Sequence, residues 1–259
     1  MLPDLDFYLI AVPAVLLVGL SKGGMGEALS LMGVPLLSLA VSPVQAAALL
    51  LPILIAMDMV SLWIWRKHSD SKTLVMLLPG AIAGIAIGWA TAAHVPRDAL
   101  RLIIGLITVI FVLRYAYTVW LSRSGAPIPP KRHRLGPAAL WGSFAGYGSF
   151  VAHAGGPPFQ IYALPLKLDP REYTGTIVRF FATLNAVKLI PYFALGQLDL
   201  GNLATSATLF PLAMAATACG AWIVRRMKPQ VFYPFMYTMA FIAGSKLVWD
   251  GLSSLLPGN

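Results

Sequence analysis

The chain has 259 residues, 58% of them hydrophobic and 11% charged. A soluble domain carries about 25% charge, so this much apolar sequence exceeds one water-soluble core and points to several membrane spans. The net charge of +9 suggests nucleic acid, but the basic residues gather in short loops between apolar runs, which is the positive-inside pattern and excludes a nucleic-acid partner. A single cysteine, Cys219, excludes an internal disulfide, and no Cys/His cluster has metal-ligand spacing.

In chain order, Met1-Leu2-Pro3-Asp4-Leu5-Asp6 lacks a basic n-region, so no cleaved signal peptide is expected. Apolar segments then run over 7–20, 28–41, 44–65, 73–92, 98–121, 136–152, 159–166, 172–195, 202–224 and 230–256. Two of them, 28–41 and 159–166, are short against the about 20 residues that a spanning helix needs. Three strongly basic loops belong in the cytoplasm: Arg66-Lys67-His68 to Lys72, Arg123 to Arg134, and Arg225-Arg226-Met227-Lys228. The loops around His94 and around Gln197–Asp199, and both termini, go outside.

Crossing parity then requires two re-entrant hairpins. Residues 5–41 enter from outside with a tip at 21–27, and residues 136–168 enter from the cytoplasm. Each hairpin is followed by three spans, so the second half is inverted relative to the first. The expected fold is an all-α polytopic membrane protein of two inverted repeats, about eight transmembrane segments in all. Its parts are a first membrane repeat (1–121), a basic cytoplasmic linker (122–135) and a second membrane repeat (136–259). Trp63, Trp65, Trp120, Trp141 and Trp222 fall near inner ends, and Trp89 and Trp249 near outer ends, as in an aromatic belt. A weak internal similarity supports duplication. Pro43 with Pro170, and Asp58 with Asn185, share one offset; Pro79 with Pro211, and Gly88 with Gly220, share another.

The two breaks carry the chemistry. They are Ser21-Lys22-Gly23-Gly24-Met25-Gly26-Glu27 and Gly146-Tyr147-Gly148-Ser149-Phe150-Val151-Ala152-His153-Ala154-Gly155-Gly156-Pro157-Pro158. Charge and broken backbone are both costly in lipid and occur together where a protein lines a cavity. A helix starting at each tip would aim unpaired N–H groups at the protein centre, and two such N-termini would cradle an anion. The substrate-binding candidates are therefore Lys22, Gly23, Gly24, Gly26, His153, Gly155, Gly156, Arg179 and Asn185. Lys22 neutralises an anion directly or forms a structural salt bridge with Glu27. Arg179 offers a planar fork of donors. Glu27 and His153 are the candidates for proton coupling. Asp58 pairs with a cation, and Lys246 with Asp250 at i, i+4.

Gly23-Gly24-Met25-Gly26 followed by Val34-Pro35-Leu36-Leu37, with Gly155-Gly156-Pro157-Pro158 in the second half, resembles the paired signatures of the sulfite exporter TauE/SafE family. The resemblance covers nearly the whole chain. It implies a carrier of sulfite, sulfonates or related organosulfur anions in the bacterial inner membrane. Lys22 and Glu27 bracketing the first tip depart from the family pattern. HExxH, GxSxG and Walker phosphate-loop motifs are missing, which argues against an enzyme and against ATP as the driving force. The expectation is an alternating-access secondary transporter of small anions without a cofactor. An anion channel on the same scaffold and a carrier of non-sulfur organic anions are the alternatives, and the sequence leaves the oligomeric state open.

Overall fold

Prolines and glycines set the helix ends. In the computed structural model, which describes residues 4–91, 94–121, 129–194 and 200–255, eleven helices follow the apolar segments closely. They are α1 (Leu5–Leu20), α2 (Glu27–Ser30), α3 (Gly33–Leu37), α4 (Pro43–Ile64), α5 (Ser71–Thr91), α6 (Arg97–Leu121), α7 (Leu135–Val151), α8 (Gly156–Ala163), α9 (Pro170–Ala194), α10 (Leu200–Arg226) and α11 (Pro229–Leu255). A π-helical turn, Ser21–Met25, extends α1, and a 3-10 turn, Leu164–Leu166, ends α8. No strand occurs among the described residues. α4, α9 and α11 each start on a proline, whose missing N–H costs nothing at that position. Ser42 caps α4, its hydroxyl accepting from the Gln45 N–H at 3.3 Å.

Among the described residues, five stretches are long and apolar enough to cross a membrane: Leu5–Met25, Ser71–Thr91, Arg97–Leu121, Leu203–Arg226 and Pro229–Ser254. The first arm of the first hairpin is among them, so its length matches a full crossing and not the half crossing expected of a re-entrant arm. α9 is equally long, with 25 residues, but carries Arg171, Glu172, Arg179 and Lys188.

The helices pack as two units, and each draws on both halves of the chain. One unit comprises the chain up to Ser69 together with Pro170–Lys228. Its core joins Phe7, Ala11, Val15 and Val18 of α1 to Leu49, Leu50, Ile53 and Met57 of α4 and to Leu209 and Ala213 of α10. Small residues bring α1 and α10 together. A Cβ at Gly220 would sit 2.5 Å from the Leu20 carbonyl oxygen. Ser206 on α10 donates to the Leu49 carbonyl at 2.8 Å.

The other unit comprises Asp70–Asp169 and the chain from Pro229 onward. Here α5 and α7 press backbone to backbone along Gly80, Gly84, Gly142 and Gly146; a Cβ at Gly146 would lie 1.9 Å from the Ala81 carbonyl oxygen. The second break is therefore narrower than the sequence suggests. Gly146 and Gly148 are helical residues of α7, and the chain leaves the helix only at Ala152. α6 and α11 pack through Tyr115 and Tyr237, stacked at 3.5 Å between ring centroids. Lys246 and Asp250 form the expected ion pair at 2.8 Å. Asp70 caps α5: its carboxylate accepts from the Thr73 N–H at 3.1 Å and meets His133 Nε2 at 2.8 Å.

Trp63, Trp89, Trp120, Trp222 and Trp249 are exposed on their helices, as a belt requires. Trp65 is fully buried and does not belong to it.

Candidate functional site

The first break is a reversal built on glycine. Gly24 (φ +121°) and Gly26 (φ +97°) both take conformations that a side chain disfavours. A reversal this tight strips carbonyls of their helical partners, and bare carbonyls are costly away from water. One face of α4 supplies donors instead. Ser61 donates to the Lys22 carbonyl at 2.8 Å, and Trp65 Nε1 donates to the Gly23 carbonyl at 3.3 Å. Ser21 donates to the Gly26 carbonyl at 2.8 Å. Asp58, Ser61 and Trp65 stand at i, i+3 and i+7, so one stripe of α4 reads the whole turn. On the far side, a Cβ at Gly23 would lie 2.4 Å from the Thr217 carbonyl oxygen of α10.

Lys22 points its ammonium at the same stripe. Its Nζ lies 2.6 Å from Asp58 Oδ1, with the two side chains 13% and 8% exposed. Asn185 of α9 donates from Nδ2 to Asp58 Oδ2 at 2.6 Å. Both carboxylate oxygens are thus held, one by a cation and one by a neutral amide. Removing one partner of a buried pair costs about 3–5 kcal/mol, because the other charge is stranded. Lys22 does form a structural salt bridge, with Asp58. Lys22 and Asn185 are brought together through Asp58. The Glu27 side chain, the 197–199 loop and the ends of the chain lie outside the described residues.

Arg179 has a different employment from the one expected. Its Nη1 donates to the carbonyls of Trp65 (3.2 Å), His68 (2.6 Å) and Gly175 (3.3 Å), and Nη2 donates to that of Arg66 (2.6 Å). The Trp65, Arg66 and His68 carbonyls lie at or past the end of α4, and a guanidinium is suited to capping them. Gly175, one turn earlier, lets the loop close in: a Cβ there would stand 1.8 Å from the His68 carbonyl oxygen. Arg179 thus anchors the end of the helix that carries Asp58. Lys188 is buried on the same helix, and Arg225 lies over the Trp65 ring at 5.2 Å.

The remaining candidates belong to the other unit. His153 follows α7 with φ +52° and is exposed. The Ala154 N–H returns to the Gly148 carbonyl at 2.9 Å, closing the C-terminal cap of α7. Gly155 and Gly156 are buried at the start of α8. Pro157 and Pro158 follow, so two of the first helical positions have no N–H to offer an anion. Gln160, four residues on, carries a side-chain amide. It lies on the Gly156 face of α8, is fully buried, and neither its amide nitrogen nor its carbonyl oxygen has a hydrogen-bond partner among the described residues. An amide left so costs about 1–3 kcal/mol.

The cradle of two helix N-termini needs revision for the first hairpin. Its second arm is two short pieces, α2 and α3, of four and five residues. The dipole of a single turn is small, so the positive charge at this tip comes from Lys22. Sequence reasoning missed Ser61, Trp65 and Gln160. The spacing of Asp58, Ser61 and Trp65 was a signal available beforehand, because it repeats at helical period and meets a broken helix.

A family model described as Sulfite exporter TauE/SafE matches residues 11–247. No curated protein and no solved structure matches the chain.

Proposed function

Because the chain belongs to the sulfite exporter TauE/SafE family, membrane transporters of sulfur-containing anions, we propose that it carries sulfite, a sulfonate or a related organosulfur anion across the bacterial inner membrane by alternating access, with Lys22 as the cationic contact. The observation that carries this reading is a buried ammonium at the break of an apolar helix. An ionisable group in that position is rare and marks a substrate path. Lysine is a compact charge on a flexible stem, able to trade one anion for another. Gly24 and Gly26 add backbone that a small oxyanion can approach closely. His153, Gly155 and Gly156 are proposed as substrate contacts of their own packing unit.

Two features support reading the halves as repeats. Asp58 and Asn185, at equivalent positions, are hydrogen-bond partners. Gly220 receives the end of α1 and the first break, while its counterpart Gly88 receives Phe150 and Val151 at the end of α7. An anion leaving the cell moves down an inside-negative potential worth about 2.3 kcal/mol per charge per 100 mV, so export needs no proton. Uptake would need one, with Glu27 or His153 as its carrier.

The test is flux of labelled sulfite and methanesulfonate in proteoliposomes. Lys22→Met should reduce saturable flux at least tenfold. Unchanged flux in Lys22→Met would remove Lys22 from the substrate path. Large single-channel currents would replace the carrier with a pore.

A further inference from the structure

We propose that Asp58 is the resting counter-ion of Lys22, an internal stand-in for the transported anion: substrate displaces the carboxylate from the ammonium, and the carboxylate returns when substrate leaves. This rests on the transporter reading above and adds a residue that determines net movement as distinct from exchange.

The geometry separates what can move from what is held. Ser61 and Trp65 tie the backbone of the break to α4 at the Lys22 and Gly23 carbonyls. Arg179 ties down the end of α4. The mobile part is the four-carbon Lys22 side chain, whose ammonium swings between Asp58 Oδ1 and an incoming anion. Asp58 is not abandoned when this happens, because Asn185 still donates to Oδ2 at 2.6 Å. A neutral amide suits this role: it steadies the carboxylate without competing for the anion.

Charges on the described stretches of the neighbouring helices α9 and α10 are few. Between Leu200 and Val224, α10 has no Asp, Glu, Lys, Arg or His, and its basic residues, Arg225 and Arg226, stand at its end. On α9, Arg171 and Glu172 lie in the first turn, and Arg179 is engaged with carbonyls. Lys188 is one turn beyond Asn185 and is itself partnered. With the ion pair closed, the charges of Lys22 and Asp58 cancel, and the pair reorients without stranding an ion in lipid. With Asp58 neutralised, the unloaded site would carry the bare Lys22 charge, and only the loaded form would reorient readily.

The experiment compares net efflux of methanesulfonate into anion-free buffer with exchange against external methanesulfonate, in voltage-clamped proteoliposomes. For Asp58→Asn, net efflux falls at least tenfold, exchange stays within about threefold of wild type, and the half-saturating concentration drops about tenfold. Asp58→Glu restores net efflux. If Asp58→Asn cannot be recovered as a monodisperse protein, Asn185→Ala takes its place and should raise the half-saturating concentration severalfold, because the carboxylate released by Lys22 then loses its donor. An unchanged ratio in Asp58→Asn, or an unchanged half-saturating concentration in Asn185→Ala, with wild type active, overturns the counter-ion role alone. Wild-type vesicles showing neither net efflux nor exchange of sulfite or methanesulfonate overturn the transporter reading and this inference together.

Discussion

Asp58 and Asn185 stand 127 residues apart in the chain and are joined by a 2.6 Å hydrogen bond from the Asn185 amide to the Asp58 carboxylate. The bond satisfies a charged acceptor away from water, where hydrogen bonds to charge contribute about 1.5–3 kcal/mol. Asn185→Leu keeps the volume and removes the donor. It should destabilise the protein by about that amount, read as a lower melting temperature in detergent. Asn185→Gln should recover part of the loss.

Gly23 and Gly136 offer a matched pair of alanine substitutions. A Cβ at Gly23 meets backbone at 2.4 Å and 2.6 Å, on Thr217 and Ala221, neither of which can step aside. Gly23→Ala should cost about 1–3 kcal/mol by overpacking. Nothing lies within 4 Å of a Cβ at Gly136, in the first turn of α7. Gly136→Ala should be neutral or stabilise by up to about 1 kcal/mol. Thermal unfolding of the two variants checks both signs.

Acid should weaken the α5 cap. Burial raises the Asp70 pKa, but the Thr73 hydroxyl and N–H and the neighbouring His133 outweigh it, and the net shift is downward from 3.8. A depressed carboxylate contributes stability that is complete above its unfolded pKa and is lost as pH falls through the lower folded value. The wild type should lose stability below about pH 4. Asp70→Asn keeps a capable N-cap but loses the charge facing His133, so it should start about 0.2–1 kcal/mol lower, with a flatter acid limb. Melting temperatures from pH 3 to pH 7 test this.

Gln160 should show opposite effects on stability and transport. Gln160→Met keeps an unbranched side chain and removes an amide that has no hydrogen-bond partner among the described residues. The variant should melt higher, since a buried unpaired amide is costly. On the proposal that Gly155 and Gly156 contact substrate, sulfonate flux should fall severalfold, because stability gained at a binding group is commonly lost from function. Higher stability with full flux would make Gln160 a packing residue.

Helix positions were legible because prolines, glycines and basic clusters punctuate the apolar runs. Lys246 and Asp250 were legible because their partnership is local to one helix. The partner of Lys22 was not. Nearness along the chain suggests Glu27, and nothing in the sequence says that the fold brings Asp58 of α4 to 2.6 Å from the ammonium. Arg179 was read as an anion ligand because its fork fits oxyanions. Carbonyls past a helix end present the same acceptor chemistry, and the sequence carries no sign of which will be near. Trp65 sits beside Arg66 as a belt residue would. Its distinction lies in the face of α4 that it shares with Asp58 and Ser61.

The interleaving of the two packing units bears on how the protein is made. The chain up to Ser69 waits for Pro170–Lys228 before its unit is complete, and Asp70–Asp169 emerges in between. At about 5–20 residues per second, the delay is about 5–20 s. During that interval the nascent helices hold a lysine and an aspartate in lipid without their later neighbours. Lys22 and Asp58 both belong to the early segment, so they can neutralise each other while the ribosome is still working. Cutting the gene at the central linker should therefore yield fragments that insert, yet regain activity only when co-translated in the same membrane.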